Sequence, residues 1–173
     1  KKLKGKVKEI WESKIKQSPS KNKHISYSAF STYAQCPKAW QLLYKDKSVP
    51  FVQNIYLTFG VAMHETLQSW LEVMYHDKVK AANDINLGQL LYDNMIKSYK
   101  ISKAQNNHQH FSDQETLTQF WLEGKHILEW VKKKRGGYFS TKNMQLAGIE
   151  TLLYQEIRPG VMFKGLIDLV FYH

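Results

Sequence analysis

The sequence is poor in cysteine and in long apolar stretches, and each shortage excludes a class of protein. Cys36 is the single cysteine among 173 residues, so the chain forms no internal disulfide and cannot build a cysteine-based metal cluster alone. No run of about 18 apolar residues is present, and the lysine-rich start does not lead into an apolar signal segment. We therefore expect a soluble, cytoplasmic protein without a membrane partner.

Acidic residues are also scarce relative to basic ones. The chain has 25 Lys and Arg against 15 Asp and Glu, a formal charge of +10, which favours a polyanionic partner such as DNA. Two clusters carry much of the excess: the lysines of residues 1–16 and the run Lys132–Arg135. The first is also compatible with a solvated tail, and the second with cations that complement a helix dipole.

The composition, 43% hydrophobic and 13% aromatic, is sufficient for one sizeable core. A polar stretch, residues 18–24, separates a basic amphipathic start from the rest. We therefore divide the chain into a basic helical and linker extension, residues 1–24, and a main domain, residues 25–173.

Apolar residues recur at helical spacing through the first two thirds of the main domain. The pattern predicts a helix capped by Ser26 or Ser28 with a break at Cys36-Pro37. It predicts further helices over about 55–76 and 87–103, and one that begins with a capping box of Ser112 and Glu115. Gly136-Gly137 should end that last helix. In the helix over 55–76, Gly60 would let another backbone approach.

The periodicity then changes to that of strands. Residues 145–157 and 161–172 are rich in β-branched and aliphatic residues and are joined by Arg158-Pro159-Gly160, which predicts a β-hairpin. The predicted fold is therefore α+β within a broader α/β class: four to five helices followed by a hairpin.

Asp168 is the first candidate site residue, because it interrupts the apolar strand LIDLV and a buried, unpaired carboxylate is costly. With a three-residue loop, Ile157 pairs with Val161 and Glu150 lies opposite Asp168 on the same face. Two such carboxylates repel unless a divalent cation lies between them, which predicts a Mg²⁺ or Mn²⁺ site. A two-residue turn would shift the register by one and separate the pair.

Each candidate also has a purely structural interpretation. Asp168 could be an edge-strand aspartate bonded to the backbone or to Lys164, and Glu156, on the same predicted face as Glu150, could be a solvated charge or an alternative partner. His64 lies at the border of the buried stripe of its helix, where most histidines only pack. We assign no functional role to His108 or His110.

Three motifs, in this order, resemble the RecB-like members of the PD-(D/E)XK nuclease superfamily, a group that includes the AddB and CRISPR-adaptation exonucleases. They are an opening signature from Ser26 through Tyr33, Cys36-Pro37, Trp40 and Tyr44, the GxxxHxxL segment Gly60–Leu67, and the G-x-I-D segment Gly165–Asp168. The resemblance spans residues 25–173. Three ordered motifs are much more specific than any one of them.

The resemblance implies metal-dependent cleavage of DNA in repair, recombination or phage DNA processing. It implies a hairpin that begins a restriction-endonuclease-like central sheet, with Asp168, Glu150 and His64 as catalytic and metal-site residues and Mg²⁺ or Mn²⁺ as cofactor. A helicase or recombination protein would be a partner, and a small-molecule substrate is not expected. We predict DNA contacts at Lys38, Lys45 and Lys164.

The chain departs from this family pattern in two respects. The next strand of the family carries an acidic residue and a lysine, whereas Asp168 is followed here by Leu-Val-Phe-Tyr-His. Cys36 matches the first ligand of a 4Fe-4S cluster, which only a longer parent protein could complete. We therefore expect the chain alone to be impaired or inactive. The alternative is a non-catalytic DNA-binding or interaction module of a recombination complex.

Overall fold

The computed structural model describes residues 23–139 and 141–172, so the predicted extension lies outside the described residues except for its last two positions. The described part contains six α-helices and a three-stranded sheet, which confirms the predicted α+β class. The elements are β1 (Lys23–Ser26), α1 (Tyr27–Gln35), α2 (Pro37–Trp40), a π-helical segment (Gln41–Lys45), α3 (Ile55–His76), α4 (Val79–Asp84), α5 (Leu87–Gln105), α6 (Gln114–Tyr138), β2 (Gln145–Arg158) and β3 (Val161–Tyr172).

The chain divides into two compact units. Within the described residues, the sheet unit holds the chain up to Pro50 together with β2 and β3, and the helical unit is Phe51–Met144. None of the helices described is long and apolar enough to span a membrane.

The start of the sheet unit follows the predicted capping pattern. Ser26 caps α1 because its hydroxyl accepts a hydrogen bond of 3.1 Å from the backbone N–H of Ala29. The helix breaks at Cys36, and Pro37 occupies the first position of α2, where the missing N–H costs no helical bond. The predicted break is therefore confirmed.

The core of the helical unit is formed by α3, α5 and α6. The helix predicted over 55–76 is α3, and Trp70 and Leu71 in its C-terminal half are fully buried or nearly so. The indole N–H of Trp70 donates 3.1 Å to the carbonyl of Ala82 in α4, which satisfies the one polar atom of this buried ring. Leu91 from α5 and Leu128 from α6 are likewise inaccessible to solvent.

Both predicted ends of α6 were wrong by about one residue. The N-cap is Asp113 rather than Ser112, and its carboxylate accepts from the backbone N–H of Thr116 at 2.7 Å. That hydrogen bond lowers the pKa of Asp113. At the other end the helix runs through Gly136 and Gly137, because neither adopts a positive φ, and it ends at Tyr138.

The sheet has the order β1-β3-β2, with β2 antiparallel and β1 parallel to the central β3. Strand β1 overlaps the stretch predicted to be a linker, and it pairs only with Val161–Lys164. On this side, the edge of β3 from Gly165 to Tyr172 has no strand partner among the residues that the structure describes. We call these eight residues the open edge.

The hairpin turn is shorter than the predicted three residues. Arg158 pairs with Val161, so Pro159 and Gly160 form a two-residue turn, and Gly160 has φ +74°. A register shift between Glu156 and Arg158 leaves Ile157 as an extra residue, a β-bulge. The bulge offsets the shorter turn, because Glu156 then pairs with Met162 as the predicted register requires.

Gly160→Ala is expected to lower the free energy of unfolding by about 1–2 kcal/mol, since the left-handed conformation is costly for a residue with a Cβ. Gly136→Ala is the matched control, because a Cβ at Gly136 meets no atom within 4 Å and its φ is not positive. Urea denaturation of both variants measures the difference. Equal stability of the two would contradict a strained turn.

Candidate functional site

Asp168 lies on the central strand of the sheet and is exposed to solvent. The burial pattern of β3 alternates from Lys164 to Leu169, so that Lys164, Leu166 and Asp168 are exposed and the residues between them are half-buried. Leu166 retains 62% of its accessible surface. The predicted penalty for burying Asp168 therefore does not apply, and an argument for a metal site there depends on its neighbours.

Glu150 lies level with Asp168 across the β2–β3 pair. Ile149 pairs with Leu169, and Thr151 pairs with Ile167. Glu150 lies between Ile149 and Thr151, and Asp168 lies between Ile167 and Leu169, so Glu150 stands beside Asp168. Glu150 and Asp168 are both exposed. The strand pairing thus keeps the two carboxylate-bearing residues side by side, as the predicted register requires.

The backbone at Glu150 is irregular. Its φ is +47°, and a register shift between Leu146 and Gly148 adds an unpaired residue just before it. No Cβ could be added at Gly148, because the hydroxyl of Thr151 occupies that space. A left-handed glutamate within a strand is uncommon and costs conformational energy. Simple alternation of faces, which was the basis of the prediction, does not hold at this residue.

Glu156 was the alternative acidic partner for Asp168, and a hydrogen bond within the hairpin turn accounts for it instead. Its carboxylate oxygen Oε1 accepts a hydrogen bond of 2.7 Å from the backbone N–H of Gly160, so it closes the hairpin turn. The sequence signal for this role was present in the four-residue spacing between an acidic side chain and a turn glycine. Glu150 is therefore the acidic residue of β2 that stands beside Asp168.

His64 belongs to the helical unit, where it lies on α3 and is exposed rather than at the border of the buried stripe. The following residue, Glu65, forms an ion pair of 3.2 Å with Lys97 of α5. Met63 and Thr66 of the same helix face the core. The structure thus places His64 on the accessible side of α3, where an imidazole can meet a ligand.

The donor set fits a hard divalent cation in part. Glu150 and Asp168 offer carboxylate oxygens, which Mg²⁺ and Mn²⁺ prefer. Across residues 23–139 and 141–172, no group of three or more His, Cys, Asp or Glu side chains is arranged to hold a metal ion. Two carboxylates would supply only part of a coordination shell.

The three lysines predicted to contact DNA are all exposed and all belong to the sheet unit. Lys164 lines an open cleft of about 420 Å³ together with His24, Ser26 and Ser28, where β1 ends and α1 begins. Lys38 donates 3.3 Å to the side-chain oxygen of Gln41. Only Lys164 of the three shares a strand with Asp168.

Cys36 is exposed and free, and its sulfur has a local structural contact. The thiol accepts a hydrogen bond of 3.4 Å from the backbone N–H of Ala39, so it caps the first turn of α2. The predicted role of Cys36 as a ligand of an iron-sulfur cluster stays a prediction, because the other cysteines of such a cluster would have to come from outside this sequence.

A sequence model of the PD-(D/E)XK nuclease superfamily matches residues 24–171. Comparisons with curated proteins and with solved structures gave no match.

Proposed function

The chain belongs to the PD-(D/E)XK nuclease superfamily, and from this membership we propose that it is the metal-binding part of a DNA nuclease of the RecB-like type. The observation that carries the proposal is the pairing of β2 with β3, which sets Glu150 level with Asp168. The family implies a nucleic-acid substrate, and the excess of 25 basic over 15 acidic residues suits one.

In this proposal Asp168 and Glu150 hold Mg²⁺ or Mn²⁺ through their carboxylates. A bound divalent cation would polarise a phosphate oxygen of DNA and lower the pKa of a bound water. His64 is proposed as a further metal-site residue on the strength of the GxxxHxxL resemblance and of its exposure. Lys164, exposed on the same strand as Asp168, is proposed to attract the phosphate backbone.

We further propose that the active site is completed by a strand that supplies a second acidic residue and a lysine. The open edge of β3 supports this idea, because β1 pairs only with Val161–Lys164 and a further strand could add beside Gly165–Tyr172, on the side of β3 away from β2. Without such a strand, the 173-residue polypeptide is proposed to bind metal while cleaving DNA poorly or not at all.

Metal binding tests the site independently of cleavage. Titration of the chain with Mn²⁺ by calorimetry should show a site whose affinity falls at least about tenfold in Asp168→Ala and in Glu150→Gln. Glu156→Gln is the matched control, because glutamine keeps an acceptor for the Gly160 N–H and removes only the charge. Unchanged Mn²⁺ binding in Asp168→Ala would refute the site.

Cleavage is assayed separately with labelled single-stranded and double-stranded DNA in Mn²⁺. The proposal expects no robust cleavage by the 173-residue chain. Strong cleavage that Asp168→Ala abolishes would support the nuclease assignment and overturn the proposed need for a further strand. DNA binding without any Mn²⁺ site would favour the non-catalytic binding module instead.

A further inference from the structure

We propose that the C-terminal part of α6 is a binding surface for single-stranded DNA, on which unpaired bases stack. This α6 surface consists of Trp130, Lys133, Lys134 and Tyr138. The inference rests on the proposed function for the kind of polymer involved, and it goes beyond that function by naming a strand-binding site in the helical unit, separate from the carboxylates of the sheet unit.

Two aromatic rings stand next to each other on the outside of this helix. Trp130 retains 53% and Tyr138 58% of its accessible surface. Their ring centroids are 6.1 Å apart and their planes are inclined by 43°. Lys134 lies midway between them at four-residue spacing, so all three share one helix face. Exposed rings interleaved with cations are the combination that stacks bases of single strands.

The basic run Lys132–Arg135 divides into two pairs with different surroundings. Lys132 donates through its ammonium to the carbonyl oxygens of Asn83 and Ile85, and Arg135 donates to the carbonyl of Lys132. These two cations serve the packing of the helical unit. Lys133 and Lys134 are exposed, so they are the members of the run that can meet phosphates.

The end of α6 is held within the helical unit by contacts of Phe139. The N–H of Phe139 donates 2.7 Å to the carbonyl of Arg135, and the carbonyl of Phe139 accepts from the hydroxyl of Tyr75. Burial raises the pKa of Tyr75 further above neutral, and the protonated phenol is the donor. The Phe139 ring also packs edge-on against buried Trp70 at 6.5 Å. These contacts restrain the backbone at the end of the surface, and such restraint lowers the entropy lost on binding.

The positive charge of the segment suits a phosphate backbone and disfavours a cationic ligand. Between residues 126 and 142 the sequence has five basic residues, Lys132, Lys133, Lys134, Arg135 and Lys142, against one acidic residue, Glu129. Base stacking on Trp130 and Tyr138 requires unpaired bases, since the faces of paired bases are covered by their neighbours in a duplex. The surface therefore selects single strands over duplex.

Binding of a fluorescein-labelled oligothymidylate of about 12 nucleotides to the 173-residue chain tests this, with EDTA present to prevent cleavage. Fluorescence anisotropy should show that Trp130→Ala weakens binding by about 5- to 150-fold. Trp130→Phe should restore most of the affinity because it keeps a ring. Lys133→Ala with Lys134→Ala should lower the slope of log K against log salt by about 0.7 per lysine removed.

Phe51→Ala is the matched control, because Phe51 is an aromatic residue of the same unit that is 73% exposed and lies outside the α6 surface. Equal affinities of Trp130→Ala and Phe51→Ala would overturn the proposal, as would an equal loss of affinity for a duplex of the same length. Circular dichroism confirms that each variant is folded. DNA binding is measured here without metal. Weakened binding in Trp130→Ala would therefore support the α6 surface even if the Mn²⁺ site were refuted, and a confirmed Mn²⁺ site would not rescue the α6 surface if Trp130→Ala bound normally.

Discussion

Trp70→Ala is expected to lower the free energy of unfolding of the helical unit by about 3–5 kcal/mol. The side chain, in the C-terminal half of α3, is fully buried, so its removal loses apolar burial and leaves a cavity. The change also deprives the Ala82 carbonyl of its indole donor, and a buried acceptor left without a partner is costly. A loss of this size is a large fraction of the stability of an average domain.

Trp130→Ala is the matched control for Trp70→Ala, since it removes the same side chain from an exposed position of the same unit. It should change the free energy of unfolding by no more than about 0.5 kcal/mol. Urea denaturation followed by circular dichroism gives both values. Similar losses in the two variants would show that the buried core has been placed around the wrong tryptophan.

Gly124→Ala and Gly60→Ala are expected to change stability in opposite directions. A Cβ at Gly124 would lie 2.6 Å from Cδ2 of Leu91 and 2.8 Å from Cε2 of Phe59. Leu91 is fully buried and has little room to move, so overpacking should cost about 1–3 kcal/mol. At Gly60 a Cβ meets nothing within 4 Å, so alanine should stabilise the helix by up to about 1 kcal/mol.

Because both glycines lie inside helices, the backbone contribution is shared and the difference between the variants reports packing alone. Thermal and urea unfolding of the two proteins measure it. A stabilising Gly124→Ala would show that α6 is farther from α3 and α5 than the structure places it. The close helix approach is thus at Gly124, whereas the sequence had suggested Gly60.

The long helices were predictable because their apolar periodicity extends over many turns. Residues 55–76 were predicted and found as α3. The N-terminus of α6 was less certain, because Ser112 and Asp113 are both good caps and sequence cannot say which accepts the hydrogen bond. Strand β1 was missed because four residues carry little pattern, and its partner β3 lies more than a hundred residues away.

The register of the hairpin was predicted correctly for an incomplete reason. A two-residue turn alone would have moved Glu150 away from Asp168, and the bulge at Ile157 restores the alignment. Neither the turn length nor the bulge can be read from composition. The left-handed φ of Glu150 was also invisible, because glutamate has no particular preference for that conformation.

The exposed pair Trp130 and Tyr138 did carry a signal in the sequence. Trp130 lies opposite the apolar stripe that includes Leu117, Leu128 and Val131, whereas Tyr138 follows Val131 by seven residues and shares its side of the helix; both flank a lysine run. An aromatic residue on the polar side of a helix, as Trp130 is, has no place in the core, whereas the exposure of Tyr138 could not be predicted from the pattern. Such residues merit attention as surface contacts.

The open edge of β3 also governs how this polypeptide behaves in concentrated solution. Its eight residues, GLIDLVFY, include one charge, Asp168, and no proline, so few of the features that normally keep strand edges apart are present. Two copies can join their sheets edge to edge through these backbone groups. Self-association should therefore rise with protein concentration, and a charged substitution such as Val170→Lys should suppress it.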